Sequence, residues 1–131
     1  MKLNQFINRN KIRVNCEFVA DNPNMAGEMP QGSFHFKCTL KRPGRQLTTF
    51  FSMGPAHSRE PSAADLLDCL ASDASGYENA RGFEEWASEY GYDPDSRRAE
   101  KIFRTVEKQT EKLKRFMGDE YETLLYHTER L

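Results

Sequence analysis

Leu47-Thr48-Thr49-Phe50-Phe51-Ser52-Met53-Gly54-Pro55-Ala56-His57-Ser58-Arg59-Glu60-Pro61-Ser62-Ala63-Ala64-Asp65-Leu66-Leu67-Asp68-Cys69-Leu70-Ala71-Ser72-Asp73-Ala74-Ser75-Gly76 contains a change of period. Leu47, Thr49, Phe51 and Met53 fall on every second position, the mark of a strand with one buried face. Ala63, Leu66, Leu67, Leu70 and Ala74 fall instead on one face of a helix. Between the two patterns Gly54-Pro55 turns the chain. Ser62 with Asp65 is a capping-box-like start, although Glu or Gln is the usual last residue of that box. Gly76 is the expected stop.

Upstream, Ile12, Val14, Cys16, Phe18 and Ala20 alternate over 11–20, and Phe34, Phe36, Cys38 and Leu40 alternate again. Lys41-Arg42-Pro43-Gly44-Arg45 is a turn by its Pro-Gly core, so the second and third alternations close a hairpin. Asp21-Asn22-Pro23-Asn24 breaks the first strand and opens a long connection through Gly27 and Pro30 to Gly32. Connections of that length are uncommon in compact domains.

Downstream, Phe83, Trp86, Ala87 and Tyr90 form the stripe of a short helix over 83–90, with Gly91 as its stop. Asp93-Pro94 has the form of a helix entry, Asp as cap and Pro in the first turn. A long helix follows to Met117 on the stripe Ala99, Ile102, Phe103, Val106, Thr110, Leu113, Phe116 and Met117. Gly118 ends it, and Asp119-Glu120-Tyr121-Glu122 opens a last helix with Tyr121, Leu124, Leu125 and Leu131 inward. The expected fold is α+β: a three-stranded antiparallel sheet at the N-terminus, covered on one face by three or four α-helices. It is read as a single domain over 1–131, sheet-rich over 11–53 and helical over 61–131.

The net charge of −1 hides a polarised chain. Residues 60–95 carry ten acids against the single base Arg81, whereas nine bases and three acids lie before them. The long helix keeps eight bases, but acids at helical neighbour spacing pair with them, which favours a solvated face over a nucleic-acid reader. Three cysteines without close pairing suggest reduced thiols, and no apolar run is long enough for a membrane span. The cytoplasm is the expected location.

Cys16, Cys38, Cys69, His35, His57 and His127 form no ligand spacing of the CxxC or HExxH kind. Cys16 and Cys38 lie in apolar phase and read as core. Cys69 with His57 lacks anything to hold nucleophile and base together. Gly54-Pro55-Ala56-His57 matches no phosphate loop. No metal site, cofactor or enzymatic activity is expected.

The block Ala64-Asp65-Leu66-Leu67-Asp68-Cys69-Leu70-Ala71-Ser72-Asp73 resembles small proteins encoded by bacteriophages and prophages. Gly82-Phe83-Glu84-Glu85-Trp86, Tyr90-Gly91-Tyr92-Asp93-Pro94-Asp95-Ser96, Arg97-Arg98-Ala99-Glu100-Lys101-Ile102-Phe103 and Phe50-Phe51-Ser52-Met53-Gly54 extend the likeness, which runs from Thr48 to Phe116. It implies origin in a mobile element and expression inside a bacterial host. It brings no catalytic residues with it.

The functional expectation is a non-enzymatic protein that binds a basic host protein, such as a component of a CRISPR-type defence complex. Clustered carboxylates imitate the phosphates that a basic groove accepts, and complementary potential speeds encounter. The expected contacts are Asp68, Asp73, Glu78, Glu84, Glu85, Glu89 and Asp93, with Tyr77, Tyr90 and Tyr92 as aromatic anchors. The alternative is a nucleic-acid-binding accessory protein using Lys37, Lys41, Arg42 and Arg45. The charge split also allows a homo-oligomer, the basic hairpin of one copy on the acidic helices of another.

Overall fold

A computed structural model describes residues 2–24, 32–56 and 59–128. His57, the middle of the long connection with Gly27 and Pro30, and Leu131 lie outside the described residues, as does the His127 side chain. The order of elements is α1 (Leu3–Arg9), β1 (Arg13–Val19), β2 (Phe34–Arg42), β3 (Arg45–Met53), α2 (Ala63–Asn79), α3 (Phe83–Glu89), α4 (Arg97–Met117), a 3-10 turn (Gly118–Glu120) and α5 (Tyr121–Thr128). The fold is α+β. The chain divides into two compact units, residues 1–68 and 69–131, with the boundary inside α2.

In the first unit the sheet has the order β1-β2-β3 and is antiparallel throughout. Pro43-Gly44 forms the hairpin turn, with Gly44 at φ 75°. That turn fixes the β2–β3 register from Arg42↔Arg45 to Phe34↔Met53. Phe36, Cys38, Leu40, Leu47, Thr49 and Met53 are buried, in the phase the alternation predicts. Phe18 shares that phase but is 67% exposed, resting its ring on Phe36 at 4.7 Å. It lies near the end of an edge strand, where the sheet offers a neighbour on one side only.

α1 was not expected from the sequence. Its end is a Schellman motif in which Ile12 N–H donates to the Ile7 carbonyl at 3.0 Å and Lys11 N–H to that of Asn8 at 3.2 Å. Lys11 occupies the left-handed position at φ 55°, where glycine would have been the legible signal. Phe6 and Ile7 on α1 and Ile12 just beyond it are buried.

Helix boundaries differ from expectation at two places. α2 runs through Gly76 to Asn79, because Gly76 serves a close approach and not a stop: a Cβ there would meet the Tyr90 hydroxyl at 1.8 Å. α4 begins at Arg97 with Ser96 as its cap, accepting from Ala99 N–H. Asp93 instead holds the turn before it, accepting from Asp95 N–H at 2.9 Å. The start of α2 is as expected, with Asp65 N–H donating to Ser62 Oγ at 3.1 Å and Ser62 N–H to Asp65 Oδ2 at 2.8 Å.

The second unit has an aromatic core. Trp86, Ala87 and Phe103 are buried, with Tyr77, Phe83, Tyr92, Ile102 and Val106 packed against them. Gly91 at φ 75° closes α3 as expected, and Tyr92 N–H donates to the Ala87 carbonyl at 2.8 Å. That reversal lays Tyr92 flat on Trp86, ring centroids 5.2 Å apart and planes 11° from parallel. Among the described residues no helix is long and apolar enough to cross a membrane.

Candidate protein interface

The acidic helices are partly spent on their own fold. Asp65 is held by Arg59 at 2.6 Å and by the Ser62 cap. The guanidinium, followed by the cap, brings its carboxyl down to about 2. Glu78 pairs with Lys114 at 2.6 Å and accepts from the Tyr121 hydroxyl at 3.4 Å. Asp93 belongs to the turn before α4. Tyr77 donates to Glu107 Oε2 at 2.7 Å, and Tyr77 and Tyr92 are packed into the aromatic core. These five residues have structural work to do.

The remainder is different. Asp68, Asp73, Glu84, Glu85 and Glu89 are exposed, and among the described residues none of them forms an ion pair. Glu84 and Glu85 stand in the first turn of α3, where the helix dipole favours negative charge. Within the second unit, α2 and α3 border a cavity of about 390 Å³. Ser72, Ser75, Gly76 and Asn79 line it from α2, and Glu85, Glu89 and Tyr90 from α3 and its end.

Tyr90 is the hinge of this surface. It is 50% exposed, its hydroxyl lies over Gly76, and its ring stands 5.5 Å from Trp86. Partial burial raises its phenol, and the nearby charges of Asp73 and Glu89 raise it further. Surrounding protein pushes the Asp73 carboxyl up to about 6. The residue is nevertheless exposed, and contact with water opposes that shift. Exposed to water, Asp73 is charged at neutral pH. The surface thus combines one aromatic face with several unneutralised carboxylates. A lysine or arginine side chain fits it, stem on the ring and head among the acids.

The basic residues of the alternative are in the first unit. Lys37, Lys41 and Arg45 are exposed, but Lys37 lies directly opposite Glu17 in the register, an opposite-charge pair across strands. Arg42 donates to Asn10 Oδ1 at 3.4 Å and so helps fix the end of α1.

One polar group escaped the sequence reading. His35 Nδ1 lies 2.7 Å from Ser52 Oγ, which also accepts from Asn22 Nδ2 at 3.0 Å. Asn24 N–H donates to Asn22 Oδ1 at 2.9 Å and so fixes which end of that amide faces the serine. A serine against an imidazole is half of a nucleophile–base pair. Here the asparagine is spent on the serine, and the three side chains tie the segment after β1 to the end of β3. The hairpin turn alone would have located the His35–Ser52 partnership. Among the described residues no three His, Cys, Asp or Glu side chains gather as a metal site.

No protein-family model matches the chain, and neither a curated protein nor a solved structure matches it.

Proposed function

We propose that this is a phage-derived, non-enzymatic protein that binds a basic host protein through the acidic surface of α2 and α3. The target class is a nucleic-acid-handling defence complex, whose phosphate-accepting groove the carboxylates would occupy. The observation that carries the reading is the set Asp73, Glu85 and Glu89 around half-exposed Tyr90, which among the described residues form no ion pair, whereas Asp65 and Glu78 are neutralised. A solvated helix face needs charge, but it does not need an aromatic side chain held open beside a cavity. The resemblance of 64–73, 82–86 and 90–103 to phage-encoded proteins is what suggests the host setting.

The test is affinity capture from a bacterial host lysate with the wild-type chain and with Glu85→Lys/Glu89→Lys and Tyr90→Ala variants. A basic protein retained by the wild type should elute with added salt and be lost from both variants. Full retention by a folded Glu85→Lys/Glu89→Lys variant would sink the proposal. Retention of nucleic acid, abolished by Lys41→Ala/Arg45→Ala, would move the function to the hairpin.

A further inference from the structure

We propose that Cys16 and Cys38 form a redox modification site, a thiol pair that a small-molecule disulfide converts into a bridge between β1 and β2. The two residues are direct partners in the antiparallel register. Such partners have Cα atoms roughly 4.5–5.5 Å apart, within the roughly 4.4–6.8 Å that a disulfide spans. Their side chains leave the sheet on the same face, and the two Sγ atoms already stand 2.8 Å apart with no disulfide between them. Closing the bond therefore asks for a small side-chain rotation and no change of register.

Access gives the two sulfurs different roles. Cys16 is half-buried on an edge strand, whereas Cys38 is fully buried on the central strand. The Cys16 thiolate attacks one sulfur of the small disulfide, forming a mixed disulfide and releasing one small thiolate. Cys38, after losing its proton to solvent, attacks the Cys16 sulfur and expels the second small thiolate. Two protein thiols are oxidised, one external disulfide is reduced, and the protons end on the released thiols. Burial raises both thiols, so the exchange is slow beside that of exposed Cys69. Once formed, the bridge closes residues 17–37 into a loop and holds the edge strand to its neighbour in the unfolded chain as well.

The full chain is incubated with oxidised glutathione, quenched in acid, alkylated and mapped without reductant. Trypsin should yield the peptide 14–37 linked to 38–41, lighter than the sum of the two by the mass of two hydrogens. The bridged protein should unfold at higher urea than the reduced one, and dithiothreitol should reverse this. Cys69→Ser should form the same bridge, and Cys16→Ser should not. Recovery of Cys16 and Cys38 both alkylated, a lasting glutathione adduct on Cys16, or a link to Cys69 in its place would each overturn the proposal. Because the map is made on the wild-type chain, a variant that fails to fold does not obscure the answer.

Discussion

Lys11 and Gly76 show how much a single side chain decides here. Lys11 sits at φ 55° in the position that glycine usually takes, at a cost of about 1–2 kcal/mol for an L-residue in the left-handed region. Lys11→Gly should therefore stabilise the first unit by up to about 1 kcal/mol after the greater freedom of glycine in the unfolded chain is set against the relief. Urea denaturation measures it, and a loss of stability would contradict the assigned end of α1. Gly76→Ala works the other way. In an ordinary helix the change would gain about 1 kcal/mol, but here the new methyl meets the Tyr90 hydroxyl. Tyr90 is half exposed and can swing out, so the expected variant is folded, near wild type in stability and altered at the cavity. Because Tyr90 stands 5.5 Å from Trp86, a changed tryptophan emission reports the displacement. An unchanged spectrum with markedly lower stability would mean that the ring cannot move.

At the level of elements, the start of α2 is set by a reciprocal cap and one ion pair. Ser62→Ala should cost about 0.5–2 kcal/mol, the usual loss for a removed cap. Asp65 supplies the pH dependence. Its carboxyl is held at about 2 against an ordinary 3.8, so it binds its proton less readily in the folded state than in the unfolded one. The stability it adds is present above its ordinary value and is lost as pH falls toward its folded one. Asp65→Asn should remove that part of the acid limb, and acid unfolding monitored by circular dichroism checks it. An unaltered acid limb would show that the Arg59 pair contributes nothing. The hairpin needs no such support, since the Pro43-Gly44 turn and nine facing residue pairs set its register.

For the whole molecule the charge distribution governs behaviour more than the net charge. An oligoarginine peptide, followed through Trp86 fluorescence, should bind more weakly as salt rises. Affinity indifferent to salt would remove the acidic surface from consideration. The sequence by itself determined the α+β class, the three strands, the hairpin turn and the ends of α3 and α4 at Gly91 and Gly118. Each of these rests on local chemistry: alternation, helical spacing, and the backbone freedom of glycine. Only the tertiary structure decided that Gly76 is a notch and not a stop, that Lys11 ends a helix, and that Cys16 faces Cys38 across a long connection. It also separated the carboxylates spent on Arg59 and Lys114 from those left around Tyr90. Spacing along a chain cannot rank equivalent acids, because an ion pair such as Glu78–Lys114 forms in space, between side chains that the sequence holds far apart.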